Sequence, residues 1–201
     1  MSKKLFILTV LIAFAIGFVA GTATVLVKGS KESKESRTSQ PTLFPTTKEP
    51  ISIELTDKIE DLKETVRENP KDLAAWLKLG NIYAEYHRYR EAVEAYGQSL
   101  SIKPNDPDIR TNLGLMLRGL GDYGGAIEEF KRAAQYGPKQ TSSRYYLGLT
   151  LIQNKNNIQE GIKAWEDYLK LEPRGQRASQ VRIAIERLRT EMARDRGQKA
   201  N

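Results

Sequence analysis

The chain has 201 residues, no cysteine, one histidine and a formal net charge of +7 at pH 7. The lack of cysteine excludes thiol nucleophiles, zinc–thiolate sites and a lipid anchor attached through cysteine. The positive charge lies at the two ends, because residues 1–50 carry +4, residues 51–175 carry −1 and residues 176–201 carry +4.

The first predicted element is a membrane-spanning helix over residues 5–27, preceded by a short tail of residues 1–4. This stretch of 23 residues contains no charge and no proline, and about 20 apolar residues are enough to cross the hydrocarbon core of a bilayer. A secretory signal cleaved at the small residues 21–23 stays open as an alternative. The length of the run favours a retained signal anchor, since cleaved signals have apolar runs of about 7–15 residues.

Charges and small residues near this helix bear on its orientation and packing. Two lysines precede it and four basic residues follow it closely, so a count of positive charges favours a cytoplasmic C-terminus. A short basic tail before a first apolar segment is nevertheless typical of an export signal, and we expect the rest of the chain in a bacterial periplasm. Ala13, Gly17 and Gly21 share one helix face and permit close packing with a second copy in a homodimer.

Residues 28–50 are predicted to be a disordered basic linker. They are rich in serine, threonine, lysine and proline, and they show no hydrophobic periodicity. The basic residues directly after the predicted membrane helix are expected to attract anionic lipid. The linker would therefore tether residues 51–201 to the membrane surface without fixing their orientation.

The rest of the chain is organised by an internal repeat. Four prolines, Pro70, Pro104, Pro138 and Pro173, are spaced by 34, 34 and 35 residues. A fixed period in this range is typical of stacked helical repeats. Other residues recur in the same register: the Leu-Gly pairs Leu79-Gly80, Leu113-Gly114 and Leu147-Gly148, and the aromatic residues Tyr96, Phe130 and Trp165.

These residues resemble the tetratricopeptide repeat (TPR), whose pattern is W-x2-L-G-x2-Y, then A-x3-F/Y, then P. The first unit matches it through Trp76, Leu79, Gly80, Tyr83, Ala92, Tyr96 and Pro104. The second unit has Ala126 at the alanine position and Arg110 in place of the tryptophan, and the third has Gly161 in the small-residue position. The resemblance covers about residues 51–195.

The resemblance implies an all-α fold, a right-handed α-solenoid of helix-turn-helix repeats with a capping helix, preceded by the one transmembrane helix. The predicted boundaries are a degenerate leading half-repeat over residues 51–72, repeats over residues 73–106, 107–140 and 141–175, a capping helix over 176–195 and a disordered tail over 196–201. The glycines and alanines are expected where the two helices of a hairpin cross closely, with the aromatic residues filling the space between hairpins.

In this family the first helix of each hairpin lines a concave groove that binds protein or peptide partners. Carried over by position, the resemblance places eleven residues there: Leu77, Lys78, Asn81, Thr111, Asn112, Leu115, Arg118, Tyr145, Tyr146, Leu149 and Ile152. Exposed apolar surface of this kind marks a partner site. Asn81 and Asn112 match asparagines with which co-chaperone members hold a terminal carboxylate, but the cations of that clamp are missing.

Catalysis, cofactors and metals are not expected. The single histidine, His87, falls in the predicted turn of the first hairpin, and adjacent acidic pairs on the helices point about 100° apart. The glycines of residues 119–125 belong to a turn and do not form a phosphate-binding loop. Nucleic acid is not an expected partner either, because no aromatic residues alternate with the arginines after residue 176.

The sequence therefore predicts a membrane-anchored adaptor or scaffold that binds protein partners in its groove. The family resemblance further suggests assistance in assembling an envelope complex. Two alternatives stay open: a structural subunit of a permanent membrane complex, and a secreted repeat protein with a cleaved signal.

Overall fold

The computed structural model describes residues 53–154 and 157–199, and this part of the chain contains eight α-helices and no strand. In chain order the helices are α1 (Ile53–Glu68), α2 (Leu73–Glu85), α3 (Tyr89–Ile102), α4 (Pro107–Gly119), α5 (Tyr123–Tyr136), α6 (Thr141–Gln153), α7 (Ile158–Leu171) and α8 (Gln176–Lys199). The predicted all-α fold is confirmed for these residues. α8 continues to Lys199, beyond the predicted end of the capping helix at residue 195.

The predicted membrane helix, the basic linker and the Ala13, Gly17 and Gly21 face lie outside the described residues. Within the described ranges, no helix is both long enough and apolar enough to cross a bilayer.

Aspartates fix the starts of three helices. The side chain of Asp72 accepts a hydrogen bond from the backbone N–H of Ala75, and Asp122 accepts one from Gly125. Asp106 accepts two, directly before the proline that opens α4. These carboxylates satisfy amide donors that the first helical turn leaves without partners. The first and second repeats therefore begin with an aspartate cap, whereas the side chain of Gln140 before α6 forms no such bond.

The helices pack as consecutive antiparallel hairpins, α2 with α3, α4 with α5 and α6 with α7, and each hairpin also contacts the next. At each hairpin crossing the recurring glycine faces the recurring aromatic ring. A Cβ atom on Gly80 would lie 2.7 Å from Cε1 of Tyr96, and one on Gly114 would lie 2.7 Å from Cε1 of Phe130. One on Gly148 would lie 2.3 Å from Cδ1 of Trp165. All three rings are buried, so the glycine supplies the space that each ring fills.

A second recurring feature is a hydrogen bond from the first helix of a hairpin to the loop before it. The indole N–H of Trp76 donates to the carbonyl oxygen of Pro70 at 3.0 Å. One period later Arg110 stands where Trp76 stood, and its Nη2 donates to the carbonyl of Pro104 at 2.6 Å. The arginine therefore replaces the donor function of the tryptophan, which explains how the second repeat departs from the family pattern and keeps its geometry.

Arg110 also fills the space of the missing indole with an ion pair. Its guanidinium contacts the carboxylate of Glu129, both side chains are only 11% exposed, and the guanidinium lies 5.4 Å from the ring centre of Tyr136. In the first repeat the corresponding residues are Trp76 and Ala95. There a cleft of about 410 Å³ stays open between α1, α2 and α3.

α8 closes the C-terminal end of the array. It packs on α7, and its buried residues form one stripe: Ala178, Val181, Ala184, Ile185 and Leu188. Ile183 occupies the register of the hairpin glycines and is 54% exposed, because no helix follows α8 in the described part to cover it. The guanidinium of Arg182 donates to the carbonyl of Pro173 and ties α8 to the preceding loop, although Arg182 follows its proline by nine residues whereas Trp76 and Arg110 follow theirs by six.

Candidate partner-binding groove

The contacts between helices identify the inner side of the array. α4 contacts α6 directly although α5 intervenes in the chain, whereas the second helices α3, α5 and α7 form no comparable contact with one another. Helices on the inner side of a curved array lie closer together than those on the outer side. α4 and α6 therefore lie on the inner side of the array, and the family resemblance predicts the same side for α2.

Most of the predicted groove residues keep an accessible side chain. Lys78 and Asn81 are exposed. Seven others are half-buried: Leu77, Asn112, Leu115, Arg118, Tyr145, Tyr146 and Leu149. Leu77 and Leu115 also pack partly against the buried core of the first two repeats. The groove thus has an apolar floor with polar groups beside it.

Thr111 and Ile152, also predicted in the groove, are buried at 4% and 5% exposure. The Thr111 hydroxyl lies 3.0 Å from Oε1 of Gln140 and 2.8 Å from the carbonyl oxygen of Pro107. Ile152 packs against Gly161, where an added Cβ would lie 2.6 Å from Cγ1 of the isoleucine. Since Gly161 lacks a side chain, Ile152 fills that space, and both residues contribute to packing and offer little surface to a partner.

Polar side chains link the second and third repeats along the groove. Arg118 donates to Oε1 of Gln153 from Nε at 3.1 Å and from Nη2 at 2.9 Å. The Gln140 amide contacts Thr111 through its oxygen and Asp108 through its nitrogen. These bonds join α4 to α6 and to the residue before α6, so this half of the groove is held in one arrangement.

Asn81 has a structural partner. The hydroxyl of Tyr96 donates to Oδ1 of Asn81 at 2.7 Å. One period later both residues are apolar, with Phe130 in place of the tyrosine and Leu115 in place of the asparagine. A buried hydroxyl requires an acceptor, so the asparagine accompanies the tyrosine. The carboxylate-clamp match at Asn81 is explained by this pairing.

The same hydroxyl gives the fold a pH dependence at alkaline pH. Burial raises the pKa of Tyr96 to about 12 from its ordinary value of 10.0. The unfolded chain loses this proton first, so the contribution of Tyr96 to the free energy of unfolding should be constant below pH 10 and fall between pH 10 and 12. Urea titrations across this pH range should show a shallower fall for Tyr96→Phe.

The fall should not vanish in that variant, because burial also raises the pKa of Tyr168 to about 12. Tyr123→Phe is the control, since Tyr123 is exposed. An equal slope in the parent chain and in Tyr96→Phe would contradict this account of Tyr96.

Aromatic rings run through the C-terminal half of the groove. Tyr146 stacks on Phe130 with ring centres 5.9 Å apart, and Tyr145 lies 5.2 Å from Tyr146. Tyr145 also stacks on Trp165 at 6.5 Å. These rings connect the second repeat to the third, which makes Tyr145 and Tyr146 both packing residues and part of the groove surface.

Sequence reasoning missed the contribution of α8 to this surface. The guanidinium of Arg177 lies 5.0 Å from the ring centre of Tyr145. The spacing of the repeats could have indicated this contact. Arg177 follows Pro173 by four residues, as Asp108 on the first helix α4 follows Pro104. α8 therefore extends the row of first helices by one position.

Among the described residues, no cluster of histidine, aspartate or glutamate is suited to a metal ion. His87 lies in the turn between α2 and α3 with a φ of 57°, and its Nδ1 is 3.0 Å from the Tyr89 hydroxyl.

A cleft of about 380 Å³ between α1 and α2 adjoins Lys78 and Asn81 at the N-terminal end of the groove.

Two family models match this part of the chain, one described as TPR repeat over residues 80–117 and one as tetratricopeptide repeat over residues 111–169. The chain belongs to the tetratricopeptide-repeat family. A curated relative, the small glutamine-rich tetratricopeptide repeat-containing protein 2 of Mycosarcoma maydis, is 28% identical over 94 residues. That match covers 47% of this TPR chain and 26% of the relative.

Two solved structures show the same fold. A crystal structure of MamA superposes with a TM-score of 0.58 at 20% identity, covering 68% of this TPR chain and 75% of MamA. YrrB, described as a TPR protein with an unusual peptide-binding site, superposes with a TM-score of 0.54 at 21% identity, covering 60% of this chain and 61% of YrrB. These likenesses support the α-solenoid architecture of the described residues.

Proposed function

We propose that this TPR protein is a scaffold that binds an extended or helical segment of a partner protein along the concave side of α2, α4 and α6. The observation that carries the proposal is the set of half-buried apolar side chains on the inner helices, with Leu77, Leu115, Tyr145 and Leu149 as its members. Such a surface suits a segment whose side chains enter the groove while polar groups fix its backbone.

The geometry favours a preformed site. Arg118 and Gln153 link the second and third repeats, and the rings of Phe130, Tyr145 and Tyr146 pack across the same boundary. Gln140, directly before α6, is held to Thr111 of α4. A site that is ordered before binding loses little conformational entropy when the partner arrives. Binding by the second and third repeats is therefore expected without rearrangement of their helices.

The test is selection of short random peptides against the full-length chain, followed by affinity measurement on two variants. Leu115→Gln with Leu149→Gln alters the groove floor and should weaken the selected peptides by about tenfold or more, which is 1.4 kcal/mol of binding free energy. Leu171→Gln with Ile183→Gln changes two exposed apolar residues outside the groove and should leave affinity unchanged.

Circular dichroism of both variants should match the parent chain, because the changed side chains are at least partly exposed. Equal affinity for the groove variant and the parent chain would refute groove binding. Equal losses in both variants would show that apolar surface in general, and not the groove, holds the peptides.

We further propose that residues 5–27 anchor this scaffold in a membrane, with the repeats in the periplasm, where a bound partner would be concentrated for assembly of an envelope complex. The support is the uncharged stretch of 23 residues and the basic residues that flank it. Extraction of host membranes with alkaline carbonate should leave the chain in the membrane fraction. N-terminal sequencing that begins after residue 23 would contradict the anchor and favour a secreted protein.

A further inference from the structure

Most arginines of the described helices have an anionic or carbonyl partner. Arg88 pairs with Glu91, Arg110 with Glu129 and Arg189 with Glu166. Arg144 donates to backbone carbonyl oxygens, the shortest of these bonds being 2.7 Å to Gln140. These contacts leave little unbalanced positive charge on the sides of the array that they occupy.

Two arginines on the groove side differ from this pattern. Arg118 donates to the neutral amide of Gln153, and Arg177 lies over the ring of Tyr145. Within residues 53–154 and 157–199, neither arginine has a carboxylate within ion-pair distance. The neutral amide positions the Arg118 guanidinium without balancing its charge, and the exposed Arg177 guanidinium lies over an uncharged ring. Both can therefore receive an anion.

Tyr145 lies beside Arg177. Its ring is half-buried against Trp165 and Tyr168, and burial raises the pKa of its hydroxyl while the charges of Arg177 and Arg118 oppose that rise. Gln153, which holds Arg118, follows Tyr145 by eight residues on α6, about 12 Å along the helix. The two guanidiniums therefore mark two points on the groove side. An anion bound beside Arg177 would rest against aromatic surface, where electrostatic attraction is stronger than in open water.

We propose that Arg118 with Gln153, and Arg177 with Tyr145, form two anion-binding points on the groove side, each of which receives an aspartate or glutamate side chain of the partner segment. The proposal rests on the proposed function and specifies the partner chemistry. Guanidinium groups bind carboxylates through paired N–H donors, and two arginines without an ion-pair partner on the groove side complement an acidic segment.

Leu115 and Leu149 extend the requirement to the neighbouring residues of the partner. Both are half-buried on the helices that carry Arg118 and Tyr145. Apolar side chains of the segment would contact these leucines, while its acidic side chains reach the arginines. The preferred partner is therefore a segment in which acidic and apolar residues alternate or share one helix face.

The test uses two synthetic peptides with blocked ends, so that neither has a terminal carboxylate. One alternates leucine with glutamate, and the other has glutamine at every glutamate position. Fluorescence anisotropy with the full-length chain, kept in mild detergent because of its apolar N-terminal stretch, should show the glutamate peptide binding about tenfold more tightly or better.

The variant Arg118→Gln with Arg177→Gln should abolish most of that preference. The matched control is Arg90→Gln with Arg194→Gln, which removes the same charge from two exposed arginines and should keep it. Equal binding of the two peptides by the parent chain would overturn the proposal. So would an equal loss of preference in the control, since net charge alone would then explain the binding.

Failure of this inference can be told apart from failure of the proposed function. If the glutamine peptide binds as well as the glutamate peptide, and Leu115→Gln with Leu149→Gln weakens both, the groove binds segments without selecting acids. If both peptides bind and the leucine substitutions change the binding of neither, both proposals fail. If neither peptide binds, this inference fails, and the peptides selected from the random library decide the proposed function separately.

Discussion

Gly114→Leu is expected to lower the free energy of unfolding by about 3 kcal/mol, the upper part of the range for overpacked cores. The reason is local. Even a Cβ atom at this position would lie 2.7 Å from Cε1 and 2.9 Å from Cδ1 of Phe130, whose side chain is fully buried. Because the ring is enclosed, it cannot yield without displacing α4 from α5. Urea denaturation followed by circular dichroism measures the loss.

A size-matched control is available in α3. An added Cβ at Gly97 meets nothing within 4 Å, so Gly97→Leu places the same side chain on an open helix surface. It should be neutral or stabilising by about 0.5–1 kcal/mol, because glycine is a poor helix former. Phe130→Leu in the Gly114→Leu background should recover part of the lost stability. Equal effects at Gly97 and Gly114 would refute the crossing geometry.

Glu129→Ala is expected to destabilise the chain by about 3 kcal/mol, because it leaves the buried guanidinium of Arg110 without its anion. Glu129 also contacts Arg132, but that side chain is 53% exposed and such pairs contribute little. The measurement is again the urea-induced unfolding of the full-length chain, compared with the parent under the same conditions.

The structure supplies a compensating change for this substitution. The first repeat has Trp76 and Ala95 where the second has Arg110 and Glu129, and both arrangements donate to the preceding proline carbonyl. Combining Glu129→Ala with Arg110→Trp should therefore restore stability to within about 1 kcal/mol of the parent, as replacement of both partners of a buried pair commonly does. If the double variant instead loses the summed stability of the two single variants, the second repeat cannot accommodate the tryptophan–alanine pair of the first repeat.

The repeated architecture could be predicted from the sequence because the same residue types recur at a fixed spacing of about 34 residues. Glycine at the hairpin crossing, an aromatic residue opposite it and proline between repeats are each required by local geometry, so their spacing defines the hairpins. The substitution of Arg110 for tryptophan weakened the pattern without breaking it. The hydrogen bond that the arginine keeps from the indole could not be foreseen, because it depends on how the side chain folds back onto the preceding loop.

The groove was harder to predict, because the same register position can face a partner or a neighbouring helix. Ile152 is buried since Gly161 leaves room for it, and Asn81 is engaged since Tyr96 needs an acceptor. Each case depends on a residue on the second helix of the same hairpin. Arg177 was missed for a similar reason, because its contact with Tyr145 crosses from α8 to α6.

The attachment of α1 has a mechanical consequence. α1 contacts α2 and no other helix of the described part to a comparable extent, and its ion pairs are exposed and lie within the helix. Any tension transmitted through the preceding residues reaches α1 before it reaches a hairpin held by a glycine–aromatic crossing. Under force α1 would detach from α2 first. The second and third repeats, which form the proposed binding surface, would stay folded while the chain is pulled.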